Sequence, residues 1–144
     1  MSFFLGNGEN LVREQKDVIY HHGYSRIGSI MQGKLILTNK RFLFIEQKEV
    51  LSGGFMGFGG HYETQTVGVR INLPIENVVG AIVENRTRKK GTLDSPASLF
   101  SKEMYQVLVV SLDTEYGMEN PAFEVYNAQD WVIGIQRAVG VEAV

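Results

Sequence analysis

The sequence predicts a mainly β fold: a partly open barrel of about seven strands capped by one C-terminal α-helix. Three observations carry this. β-branched and alternating apolar runs recur from residue 17 to residue 127. One stretch alone, residues 127–140, keeps a helical period throughout. A single helix cannot cover both faces of a wide open sheet, so the sheet must bend on itself with the helix plugging one end. The chain has 144 residues, 44% of them hydrophobic, and is expected to form one domain over 1–144. That length buries a proper core without disulfides or metal.

The elements follow in order. "DVIYHHGY" (17–24) is β-branched and aromatic. "MQGKLILTNKRFLFIEQ" (31–47) predicts a hairpin turning near Asn39-Lys40. Its second arm, Phe42 to Ile45, is apolar at every position, as in a strand covered on both faces. "VGVRINLP" (67–74) alternates Val67, Val69, Ile71 and Leu73, and Pro74 ends it. Residues 75–85, 104–113 and 121–127 give three more strand candidates. In the helix, Asn127 is the expected N-cap, with Asp130 at N3 for a capping-box-like arrangement. Ala128, Trp131, Val132, Ile135, Ala138 and Val139 share its apolar face, and Gly140 is the expected stop. A strand run followed by one amphipathic helix is the order of the pleckstrin-homology (PH) superfold.

Composition excludes several function classes. A net charge of −2 gives no global pull toward nucleic acid. No cysteine is present, so thiolate metal sites and thiol nucleophiles are out, and a reducing cytosol fits. No apolar run approaches the roughly 18 residues of a membrane span, and "MSFFLG" lacks the charged start of a signal peptide, so membrane contact is expected to be peripheral. The three histidines are His21, His22 and His61. Neighbours on a strand point to opposite faces, so His21 and His22 are not expected to share a metal. "GFMGFGG" (54–60) has the glycines of a nucleotide loop but no following Lys-Ser/Thr. No catalytic motif is present, and neither enzymatic activity nor a cofactor or metal is expected.

Two stretches carry a family resemblance. "GKLILTNKRFLFIE" (33–46) resembles the strand-turn-strand signature of GRAM and related PH-like domains, G-x-L-x-L-T-x-x-R followed by alternating apolar residues. "GENLVREQKDVIYHHG" (8–23) is similar to the opening of GLUE domains, the GRAM-like ubiquitin-binding modules of an ESCRT-II subunit. The matching positions are Glu9, Leu11-Val12, Gln15, Val18, Tyr20 and Gly23. Two departures stand beside them. The chain has Tyr20-His21-His22-Gly23 where GLUE openings usually have Tyr-Asp-Gly. It also ends after the helix without winged-helix domains, as an excised domain or a free-standing relative would.

The resemblance implies a cytoplasmic, membrane-peripheral recruitment module that binds ubiquitin or a ubiquitin-like protein, anionic lipid headgroups, or both, with other ESCRT-II-like subunits as further partners. Three groups of residues are candidates. On the helix, Ile133 falls about 155° from the centre of the apolar stripe at 100° per residue. Around it lie Gln129, Asp130, Gln136 and Arg137. An apolar centre with a polar rim has the make-up of a small interface, and an exposed isoleucine alone is the plainer reading. Arg86, Arg88, Lys89 and Lys90 open a polar segment, 86–103, read as a loop that grips a phosphorylated headgroup or stays solvated. Phe55, Met56 and Phe58 sit among five glycines at the tip of an excursion between strands. They are expected to fold back on the barrel or to contact a partner or a second copy, since flanking Glu46, Glu49 and Glu63 disfavour a bilayer wedge. Arg41 is expected to be a structural hydrogen-bond donor. The alternatives to ubiquitin recruitment are a GRAM-type lipid module and an oligomerisation domain.

Overall fold

The computed structural model describes residues 5–53, 60–89 and 102–140. Its strands are β1 (Leu11–His22), β2 (Met31–Thr38), β3 (Arg41–Ser52), β4 (His61–Pro74), β5 (Val78–Lys89), β6 (Lys102–Thr114), β7 (Gly117–Glu119) and β8 (Ala122–Glu124), followed by helix α1 (Ala128–Ala138). All pairings are antiparallel, in the order β4-β3-β2-β1-β8-β6-β5, with the short β7 paired to β6. This is the PH-like partly open barrel with a helical cap that the element order predicts.

The β2–β3 hairpin shows why the 33–46 signature has its form. Leu35, Leu37, Phe42 and Phe44 are all fully buried, and register runs from Gly33↔Glu46 to Leu37↔Phe42. A Cβ on Gly33 would lie 2.3 Å from the Ile45 carbonyl oxygen and 2.7 Å from the Phe44 ring, so only glycine fits. Thr38 and Arg41 close the turn: the Thr38 hydroxyl accepts the Lys40 and Arg41 amides at 3.0 and 2.8 Å. Residues 6–10 then fold over the turn. Glu9, almost wholly buried, accepts from Thr38 Oγ1 (2.6 Å), Arg41 Nε and Nη2 (both 2.8 Å) and the Gly6 amide (2.8 Å). Arg41 is thus the structural donor expected. On the outward face, Ile36, Leu43 and Ile45 form a second buried cluster, so β3 is covered on both faces as its unbroken apolar run requires.

Inside the barrel, Tyr20, Phe42 and Phe44 surround Phe123 with ring centroids 5.4 to 6.0 Å away. Trp131, Ile135, Ala128 and Val132 of α1 complete this core, and Ala138 and Val139 pack at its margin. The helical face is the one its periodicity predicts. Gly140 takes φ +80° and donates its amide to Arg137 O at 3.1 Å, closing the helix.

Four local expectations are corrected. Asn127 stands at the N-cap but adopts a left-handed backbone (φ 53°, ψ 53°) and makes no capping side-chain bond, so no capping box forms. Residues 75–77 are a 3-10 turn, and the strand expected there starts at Val78. Residues 86–89 are not loop: β5 continues through them to Lys89, and β6 already begins at Lys102. Finally, the last strand shortens to Ala122–Glu124.

A groove between strand β1 and the outer face of helix α1

The helix that plugs the barrel leaves its other face on the surface. Ile133, Gln129, Gln136 and Arg137 are all exposed there, as the helical phase predicts. Ile133 is 38% exposed, neither core nor fully solvated. Beside it runs a groove of about 270 Å³ lined by Val12, Arg13, Asp130, Ile133, Gly134 and Arg137. So the structure brings Ile133 and Arg137 into one depression, while Gln129 and Gln136 lie outside its lining.

The opposite wall comes from β1. Pairing with β2 slips by one residue between Leu11 and Arg13, which makes Val12 the extra residue of a β-bulge. Val12 and Leu11 stay 43% and 47% exposed at this edge. Arg13 lies over the Trp131 ring at 5.5 Å and reaches Asp130 at 3.9 Å, so it bridges strand and helix. Its Nε is buried and has no partner among the described residues. The groove's lining is therefore apolar at Val12 and Ile133 and charged at Arg13, Asp130 and Arg137.

Gly134 separates the walls. A glycine inside a helix costs about 0.5–1 kcal/mol relative to alanine. Packing does not demand it: an added Cβ would sit 3.6 Å from Leu37 Cδ2 and 3.7 Å from Val12 Cγ1, ordinary contact distances. Since Gly134 itself lines the groove, an added methyl would lie beside Val12 there.

The basic cluster has a different setting. Arg86 and Arg88 lie on one face of β5. Arg86 Nε pairs with Glu84 Oε1 at 2.7 Å, and its Nη1 stands 3.0 Å from His22 Nε2. Arg88 pairs through both Nη atoms with the two Glu124 oxygens at 3.1 Å and lies 4.3 Å from the Tyr105 ring centroid. His21 adds a contact to Glu124 at 3.2 Å and stacks on Tyr105. The Arg88 guanidinium and the other hydrogen bonds hold Glu124 below the usual carboxylate range, against the opposing effect of burial. Register against β8 slips between Tyr20 and His22, and both histidines reach this same row of charges rather than opposite faces. Lys89 is the last residue of β5. Lys90, Phe55, Met56 and Phe58 lie outside the described residues. Among the described residues no group of three His, Asp or Glu side chains could hold a metal ion, and no helix is long and apolar enough to cross a membrane.

No family model and no curated protein matches the chain. The positions that resemble a GLUE opening have definite places in the fold. Glu9 is the carboxylate of the buried ion pair, and Gln15 accepts the Trp131 indole N–H at 2.9 Å. Val18 and Tyr20 are core, and Gly23 holds φ +108° against the Asn120 carbonyl. These five serve the barrel, and Val12 alone faces the groove. Sequence reasoning missed Arg13 and Gly134. Arg13 carried no signal, because its role depends on the bulge. Gly134 did: it is a lone glycine inside a helical period.

Proposed function

We propose that the chain is a non-catalytic recruitment module of the GLUE type, which binds ubiquitin or a ubiquitin-like protein through the β1–α1 groove in the cytoplasm at a membrane surface. The observation that carries this reading is the groove's make-up: Val12 and Ile133, both partly exposed apolar residues, brought together beside Gly134 from opposite ends of the chain, with charged Arg13, Asp130 and Arg137 around them. The mixed apolar and charged lining suits a small, wet protein contact rather than a buried cofactor. The GLUE-like opening at residues 8–23 supports the choice of partner. The lipid alternative draws no comparable support, since Arg86 and Arg88 are engaged by Glu84 and Glu124.

The test is Gly134→Ala. In a free surface helix this change stabilises by up to about 1 kcal/mol. Here it also fills the groove, so the melting temperature should rise while affinity for ubiquitin falls several-fold. Ubiquitin affinity that is unchanged in a stabilised variant removes the groove from the interface.

A further inference from the structure

The sheet is open, so among the described residues it has two free edges, β4 and β5. Such edges invite pairing with another chain, and charges, proline or bulges usually guard them. β5 is guarded: α1 packs against it, and it carries Glu84, Arg86 and Arg88. β4 bulges at Arg70 and Val67. Beyond these bulges, residues 61–66 pair in unbroken register with residues 47–52 of β3, from Gln47↔Thr66 to Ser52↔His61. That stretch of the edge, "HYETQT", has no lysine, arginine or proline. It lies on other strands than the β1–α1 groove and is independent of the recruitment reading.

The ribbon formed by 47–52 and 61–66 also stands outside the barrel's core. None of the described residues from 46 to 70 belongs to either buried cluster. Residues 61–65 are all exposed, so both faces of the strand meet solvent. Leu51 and Tyr62, opposite each other in register, are both more than half exposed. A ribbon of two strands with two solvated faces is marginal in water, and further strands steady it. β3 already has a neighbour on each side, so an added strand can join only along β4.

The edge fits itself. Laid antiparallel on a second copy about a two-fold axis at Thr64, it sets Thr64 opposite Thr64, Tyr62 opposite Thr66 and Glu63 opposite Gln65. Tyr62, Thr64 and Thr66 share the face that carries Leu51, Glu49 and Gln47. Aromatic–β-branched and Thr–Thr neighbours are favourable cross-strand pairs. No like charges stand directly opposite: Glu63 meets a neutral glutamine and keeps its own His61 at 2.9 Å. An axis one residue away, at Glu63, would instead oppose two carboxylates. We propose that the β4 edges of two copies of this chain join about Thr64, turning two exposed ribbons into one four-stranded sheet.

The experiment is sedimentation equilibrium of the full chain up to about 1 mM. It should show a monomer–dimer equilibrium with a dissociation constant on the order of 100 µM, because so short an interface belongs to the weak, transient class. Thr64→Lys sets two ammonium groups opposite each other at the axis and should weaken the dimer at least about tenfold. Its melting temperature should stay near that of the wild type, since the site is exposed. The chain has no cysteine, so single-cysteine variants report the register. In oxidised glutathione, Thr64→Cys should close a disulfide-linked dimer at least about tenfold faster than Thr66→Cys, each rate taken relative to that thiol's capture of glutathione. Only at the axis does a residue meet its own copy within bridging distance; two Thr66 positions would lie four residues, or about 13 Å, apart along the strands. A wild type that stays monomeric at about 1 mM, and so leaves the edge to solvent or to a strand of another protein, would overturn the proposal. So would a dimer that Thr64→Lys does not weaken, or equal cross-linking at the two cysteine positions.

Discussion

Glu9 gives the sharpest quantitative expectation. Hydrogen bonding to Arg41 is the main cause holding its carboxyl at about 2, against a usual 4.5; bonds from Gly6 and Thr38 assist, and burial opposes them. Unfolding releases the group to its usual value, so between these limits the unfolded chain binds more protons than the folded one. The ion pair therefore contributes fully above about pH 5 and is lost as pH falls toward 2. The difference of about 2.5 units at 1.36 kcal/mol each is worth about 3 kcal/mol. The Arg41 side chain is 30% exposed and can rehydrate, which places the cost of Glu9→Gln at about 2–3 kcal/mol at pH 7. With a urea slope near 1.5 kcal/mol/M, the midpoint should fall by about 1.3–2 M. Urea unfolding of both proteins at pH 7, 5, 4, 3 and 2 isolates Glu9 from Glu119 and Glu124, whose carboxyls are also lowered. Protonated glutamate resembles glutamine, so the two curves should converge toward pH 2. A gap that stays constant with pH would show that shape and not charge sets the contribution of Glu9. No gap at pH 7 would refute the ion-pair argument altogether.

Two further outcomes follow from the packing. Trp131→Ala removes the largest fully buried side chain and the indole bond to Gln15, and should cost about 3–5 kcal/mol by thermal or urea unfolding. A native-like melting temperature in that variant contradicts the helix plug. Arg88→Gln breaks a two-point pair with Glu124 and the contact with Tyr105 at a half-exposed site, for about 1 kcal/mol. Its affinity for anionic liposomes at low salt should match the wild type, and a marked drop would favour the lipid reading.

Elements bounded by strong local chemistry were legible in the sequence. The β2–β3 turn, the end of β4 at Pro74 and the buried face of α1 each follow from a few neighbouring residues. Elements set by distant partners were not. β5 runs on through Arg86 and Arg88 because residues 85–89 pair with residues 102–106 of β6, and Arg88 finds Glu124 and Tyr105 across the sheet. Read locally, "NRTRK" is only a polar run. Asn127 reads as a cap, but its left-handed backbone leaves the capping bond unmade. β7 spans three residues, too few to show a period. The same division holds at the groove. Ile133 is exposed by helical phase alone and could be picked from the sequence. Val12 and Arg13 face it from the far end of the chain, through a bulge that only the pairing with β2 defines.

The claim that the groove recruits a ubiquitin-class protein is tested most directly at Ile133. An apolar anchor in a small wet patch supports a dissociation constant on the order of tens to hundreds of micromolar, or about −5 to −6 kcal/mol. Titrating ubiquitin into the ¹⁵N-labelled wild type should shift the amides of Val12, Ile133, Gly134 and Arg137. Ile133→Asp should abolish those shifts, because a charge then faces an apolar partner surface. Its melting temperature should stay near that of the wild type, since the side chain is already 38% exposed. A folded Ile133→Asp protein that binds ubiquitin as the wild type does, or a wild type that shows no shifts at millimolar ubiquitin, would contradict the claim.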